Sequence, residues 1–193
     1  MQFEEKNFNN ITYQNQQIIE HNLQDKEFTG CTFKKCNFSG SDFSGSSFID
    51  CIINDSNLSN IKIENCNFQG VKFIGCKLVG VSFSVIKTFL IDWSFQNCLI
   101  YLCDFNKLSL PKSKFIDCEL HENDFINANL CAADFTGSDL WNSKFFDTNL
   151  EKADFRTARN YYLNPINNKL TGAMFTTPEV LNLLHSFNIK IEM

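Results

Sequence analysis

The chain repeats every five residues. From Ser113 to Arg156 a large apolar residue, Phe and Leu by turns, recurs at Phe115, Leu120, Phe125, Leu130, Phe135, Leu140, Phe145, Leu150 and Phe155. Two residues before each stands a smaller one: Ser113, Cys118, Asn123, Ala128, Ala133, Ser138, Ser143, Thr148 and Ala153. Side chains return to the same side after about 3.6 residues in a helix and about 2 in a strand. A period of five fits neither, so it marks an array of short structural repeats. If the large residue is numbered i, seventeen consecutive i positions from Phe3 to Phe83 are apolar as well.

The i−2 positions divide the array. Up to residue 27 they include Lys6, Gln16, His21 and Lys26. These do not share a narrow interior, so 1–27 reads as a degenerate N-terminal coil or cap and 28–83 as well-formed repeats. Phe83 and Leu90 then stand seven apart instead of five. The two-residue excess puts a small loop or corner bulge at 84–89, either a tolerated insertion or a loop that touches a partner. Trp93, in the i−2 slot that follows, is expected to swell its layer. Repeats resume over 90–157 and fail at Asn160 and Pro165, which leaves 158–193 as a C-terminal loop, helix and tail. Thr177-Pro178-Glu179 has the cap, first-position proline and early acid of a helix start. Val180, Leu181, Leu183, Leu184 and Phe187 follow at helical spacing. Ile189 and Ile191, alternating with Lys190 and Glu192, suit a short terminal strand.

Two inward residues per pentad leave three outside. Four pentads, or 20 residues, close a square coil whose copies stack by backbone pairing. At the usual spacing of roughly 4.8 Å, about eight coils make a rod of roughly 35–40 Å. The expected fold class is therefore an all-β solenoid with a short C-terminal helix and terminal strand. Stacking by 20 sets Cys31 over Cys51 and Cys98 over Cys118. Outside, the i+1 residues Tyr101, His121, Trp141 and Tyr161 form one column, and Ile126, Phe146 and Ile166 another. Aligned exposed aromatic and aliphatic side chains are unusual on a free surface. Either the C-terminal loop and helix cover them or a second protein does.

Composition removes several function classes. The 21 phenylalanines need many equivalent interior slots, and a net charge of −5 argues against nucleic acid as a partner. Eight of nine cysteines lie at i−2, and only Cys131 departs. With no CxxC pair and three scattered histidines, these are thiols packed as small hydrophobes, and no metal, cofactor or disulfide framework is expected. No Ser/His/Asp grouping, paired carboxylates or Gly-rich phosphate loop is present, and a side-chain-filled rod leaves no substrate pocket. An enzyme is not expected. No apolar stretch approaches about 18 residues and no basic-then-apolar leader opens the sequence, so the expectation is a cytoplasmic protein without a membrane partner.

The residues around each i position carry a resemblance. Ala133-Asp134-Phe135, Ser138-Asp139-Leu140 and Ala153-Asp154-Phe155 are similar to the repeats of the pentapeptide-repeat family, over roughly residues 28–157. The resemblance implies a right-handed quadrilateral β-helix. The C-terminal break, helix and apolar tail look like the quinolone-resistance and microcin-immunity branch (Qnr, MfpA, McbG). That likeness implies a homodimer through the C-terminal segment, here Val180, Leu181, Leu184, Phe187, Ile189 and Ile191. It also implies an acidic rod that imitates duplex DNA and binds a type II topoisomerase, DNA gyrase or topoisomerase IV. A scaffold that binds an unrelated protein through Tyr101, Trp141 and Tyr161 is the alternative. The long loops of some Qnr proteins are missing.

Charge is unevenly spread. Residues 1–115 hold 11 acids and 11 bases. Residues 116–155 hold nine acids (Asp117, Glu119, Glu122, Asp124, Asp134, Asp139, Asp147, Glu151 and Asp154) against Lys144 and Lys152, a net of −7. This band is the candidate partner-binding surface. A preference of corners for Asp at i−1 covers Asp124, Asp134, Asp139 and Asp154, and leaves Asp117, Glu122, Asp147 and Glu151 without a local reason.

Overall fold

The computed structural model describes residues 3–87, 91–187 and 189. Short parallel strands of three or four residues stack into a four-sided β-helix. The first face holds β1 (Asn7–Asn9), β3 (Glu27–Thr29), β5 (Ser47–Ile49) and β7 (Asn67–Gln69). The second holds β2 (Thr12–Gln14), β4 (Thr32–Lys34), β6 (Ile52–Asn54), β8 (Val71–Ile74), β10 (Trp93–Gln96) and β12 (Lys114–Ile116). The third holds β9 (Lys77–Val79), β11 (Leu99–Tyr101) and β13 (Glu119–His121). The fourth is built from single bridges such as Asn22 with Asp42 and Asp104 with Asp124.

The strand ladder has six levels, fewer than the coils themselves. Beyond β12 the second face continues through bridges, Lys114 to Asp134, Asp134 to Asp154 and Asp154 to Met174.

The corner is the i+2 residue. Along the repeats it adopts left-handed backbone with φ between 50° and 77°. Asn, Asp and Gly reach that region most readily, which accounts for their abundance there. At Gly137 (φ +72°) a Cβ would fall 2.0 Å from Asp117 Oδ1 on the coil below, so the side chain of one corner uses the space left by the next.

Inside, rings stack in columns. Phe105 on Phe125 and Phe125 on Phe145 have centroids 4.8 and 5.0 Å apart, while rings on adjacent faces, such as Phe115 and Phe125, meet edge-on. The small i−2 residues are satisfied by backbone: Ser138 Oγ donates to the Phe115 carbonyl at 2.6 Å and Thr148 Oγ1 to that of Phe125 at 2.8 Å. Such buried hydroxyls join successive coils, although Ser113 Oγ, also at i−2, is buried without a partner among the described residues. All nine cysteines are free and only Cys131 is not buried. Burial pushes the Cys66 and Cys103 thiols up to about 12. Cys98 touches Cys76 as well as Cys118, a ladder one thiol deeper than a uniform step of 20 implies.

The extra rung reflects the register break. Phe33 pairs with Ile53 and Ile53 with Phe73, but Phe73 pairs with Phe95, a step of 22. Lys87 N–H still donates to the Cys66 carbonyl at 2.8 Å, whereas Trp93 already pairs with Val71. The two extra residues therefore enter between Lys87 and Trp93. Thr88, Phe89 and the i position Leu90 lie outside the described residues. Trp93 is fully buried, and its indole N–H donates to the Phe68 carbonyl at 3.3 Å.

At the N-terminal end the Phe3 ring packs on Phe8, Tyr13 and Phe28. Lys6 and His21 stay exposed there, and Gln16 and Lys26 half-buried. The C-terminal helix is a 3-10 helix, Glu179–Phe187, with Leu183 packed against the core. The expected terminal strand falls mostly on residues outside those described. Among the described residues no helix is long and apolar enough to cross a membrane.

Candidate partner-binding surface

The nine carboxylates of 116–155 surround the rod. Asp134 and Asp154 stack on the second face, Glu119 and Asp139 on the third, and Asp124 lies above Asp104 on the fourth. Glu151 follows Leu150 on the first face. Asp117, Glu122 and Asp147 occupy left-handed corners with φ of 52°, 54° and 52°. This corrects the expectation for Asp117 and Asp147. The corner is i+2, not i−1, so Asp117 and Asp147 have a local reason to be there, and of the three only Glu122 and, off the corners, Glu151 lack one.

The i−1 aspartates work differently. Thr136 N–H donates to Asp134 Oδ1 at 3.0 Å, Trp141 N–H to Asp139 Oδ1 at 3.2 Å and Arg156 N–H to Asp154 Oδ1 at 3.0 Å. Each closes a local turn.

Several acids are already neutralised. Lys144 Nζ lies 3.1 Å from Asp124, Arg156 Nη2 2.6 Å from Asp154, and Arg159 Nε 3.0 Å from Asp139. Burial opposes the Asp139 charge, yet bonds from Asn160, the Trp141 backbone and Arg159 hold its carboxyl below the usual carboxylate range. The Arg156 guanidinium does the same for Asp154. Asp117, Glu119 and Glu122 have no cationic partner among the described residues. Tyr101 donates its hydroxyl to Glu122 at 3.3 Å, and the Glu122 charge raises the Tyr101 phenol.

Three members of the aromatic column hold. Tyr101 pairs with His121 in register, the His121 ring meets Trp141 edge-on at 6.0 Å, and Trp141 is 48% exposed. Tyr161 does not belong to this surface. It is 2% exposed, between the rings of Phe155 at 5.6 Å and Phe175 at 5.7 Å. Asn160, polar where an i residue is due, takes the left-handed conformation (φ 57°), so the chain turns early and Tyr161 fills the interior slot. Burial pushes its phenol up to about 12. In the second column Ile126 is half-buried, and Phe146 and Ile166 are exposed.

A groove of about 550 Å³, which sequence reasoning missed, follows the corner between the third and fourth faces. Leu102, Asp104, Glu122, Asp124, Lys144 and Tyr162 line it. Leu102 is the signal that pointed there: a large apolar residue at a left-handed corner (φ 54°), 51% exposed. The interior among the phenylalanines offers only about 10 Å³. No grouping among the described residues could hold a metal ion.

In the C-terminal segment Val180, Leu181 and Leu184 are half-buried, and Phe187 and Ile189 are exposed. Ile191 lies outside the described residues.

The family model described as a pentapeptide repeat region matches residues 26–98, and that for pentapeptide repeats in eight copies matches 98–137 and 124–159. The chain belongs to the pentapeptide-repeat family. Among solved structures, two trypsin-treated variants of QnrB1, a plasmid-mediated fluoroquinolone resistance protein, share the fold. One is 20% identical with a TM-score of 0.59, over 96% of this chain and 100% of that one. The other is 21% identical with a TM-score of 0.61, over 96% and 97%. No curated protein matches the sequence.

Proposed function

We propose that the protein binds a type II topoisomerase, DNA gyrase or topoisomerase IV, in place of duplex DNA, and thereby modulates it or protects it from quinolones or a peptide toxin. The observation that carries this is concentrated charge on a stiff support: a net of −7 over 116–155, on coils whose ladders and ring columns fix the spacing. Such a rod keeps its negative field where a flexible acidic segment would spread, and draws a basic DNA-binding surface. The fold shared with a fluoroquinolone resistance protein agrees with the reading. Two copies joined through Val180, Leu181, Leu184, Phe187, Ile189 and Ile191 would set two acidic bands about a two-fold axis. On this reading the protein works in the cytoplasm, and not as an enzyme.

Supercoiling by purified gyrase, with and without a fluoroquinolone, tests the proposal. A change in either at micromolar protein is expected; no binding and no change overturns it. Sedimentation as a monomer at high concentration removes the dimer. A second reading, a scaffold for an unrelated protein, draws on the exposed Trp141. It predicts unchanged gyrase and a partner lost on Trp141→Ala but kept when the acids of 116–155 are neutralised.

A further inference from the structure

We propose that the third face is the docking surface and that it takes arginine side chains from a basic protein segment, a guanidinium stacking on Trp141 and bound by Glu119 and Glu122. This rests on the reading that the rod works by binding a protein, and it names the face and the chemistry. The faces differ in how far their charge is already cancelled. On the second, Lys114 underlies Asp134 and Arg156 grips Asp154. On the fourth, Lys144 grips Asp124 beside exposed Phe146 and Ile166. The third face carries no lysine or arginine from Leu99 to Asn142, and Arg159 at its end is bound to Asp139.

That same face holds the exposed ring. Trp141 is backed edge-on by His121, and Glu119 opens and Glu122 follows the strand that carries His121. Beside it, Leu102 is the one large apolar residue among the left-handed corners of the described residues. The L-configuration disfavours that backbone, and the other left-handed corners described hold polar or small residues, so an exposed leucine there is poorly explained by the fold and well explained by contact. Leu102 and Glu122 both line the corner groove, whose 550 Å³ or so admits a long side chain. Aromatic ring, carboxylates and groove together suit arginine better than lysine. A guanidinium is planar, stacks on indole and forks onto carboxylate, whereas an ammonium is a compact, strongly hydrated point charge.

The full-length protein would be titrated with a blocked hexapeptide alternating arginine and glycine, and with its lysine counterpart. Trp93 is buried, so an emission change on binding reports Trp141. Calorimetry is expected to give at least fivefold tighter binding for the arginine peptide. Trp141→Ala, and Glu119→Gln with Glu122→Gln, should each weaken it tenfold or more. Glu5→Gln with Glu64→Gln removes the same charge from the neutral half and should change it less than twofold. All variants are first matched to wild type in urea midpoint. Equal affinity for the two peptides, or equal losses in the two double variants, means general attraction and overturns the proposal. If wild type alters gyrase supercoiling and the third-face variants act the same, the face is wrong and the topoisomerase reading stands. If the peptide selectivity holds while gyrase is untouched, the face stands and that reading falls.

Discussion

Residues 7–121 and residues 122–175 build one coil with two backbone solutions. The first region contains every strand of the described residues; the second closes its coils with single bridges. The second face displays the change within one column. Thr12, Thr32, Ile52, Lys72, Ser94 and Lys114 occupy i−1 where it is stranded, and Asp134 and Asp154 where it is not. The third face alternates: Asn37 and Asn57 bend, Lys77, Leu99 and Glu119 extend, Asp139 bends. An Asx oxygen that accepts the i+1 N–H holds a turn where the chain would otherwise extend. Asn7 and Asn67 sit at i−1 in strands, so the bond favours the bend without dictating it. Asp at i−1 therefore serves the backbone before it serves any partner, and acid counts alone overstate the charge available for binding.

If ring columns rather than strand ladders hold the second region, removing a ring there should be as damaging as in the first. Phe135→Ala is expected to lose about 3–5 kcal/mol, the usual range for a buried aromatic, and Phe33→Ala a similar amount, both by urea unfolding. A much smaller loss at Phe135 would mean the strandless coils stand on something else.

The next effect separates turn from charge. Asp134→Ala removes an acceptor and should cost about 0.5–1.5 kcal/mol, whereas Asp134→Asn keeps the Oδ1 acceptor and should unfold close to wild type. Both lose the same charge. Partner binding that falls equally in the two is electrostatic; binding that falls only with Ala reflects backbone disorder.

Acid should act on the bent region. The Asp139 and Asp154 carboxyls lie below their ordinary value in the folded protein, so folding favours their charged form. The stability they add is present at neutral pH and is lost as pH falls below about 4 and through the folded values. Asp139→Asn should melt below wild type at pH 7, with the gap closing as pH falls through the folded value. A gap that widens on acidification, followed by thermal melts, would contradict the assigned direction.

The period of five made the rod legible because every i residue meets the same interior. The count between Phe83 and Leu90 made the register break legible, since stacking tolerates no fractional coil. Which pentads extend was not legible from apolar spacing, because inward residues are alike in strand and bend and the distinction lies in side-chain bonds at i−1. The left-handed corner at i+2 was hidden for a related reason: Lys35, Lys107 and Glu122 occupy it alongside the Asn, Asp and Gly that favour it. Tyr161 left its column because Asn160 cannot fill a core slot, a local exchange that strict counting by 20 overlooks.

Leu102 gives the smallest expected effect and the sharpest contrast between folding and binding. Its corner is left-handed, and its side chain is half exposed and outside the apolar core. Asn adopts this backbone with less strain, so Leu102→Asn should stabilise by about 0.5 kcal/mol, part of the roughly 1–2 kcal/mol penalty for the L-configuration. The gain would be read as a raised urea midpoint. The same change removes an apolar contact from the groove and should weaken the arginine peptide by two- to threefold. A substitution that stabilises the rod while loosening its partner marks a residue kept for contact. If Leu102→Asn destabilises, the leucine supports the corner and the third face loses one of its arguments.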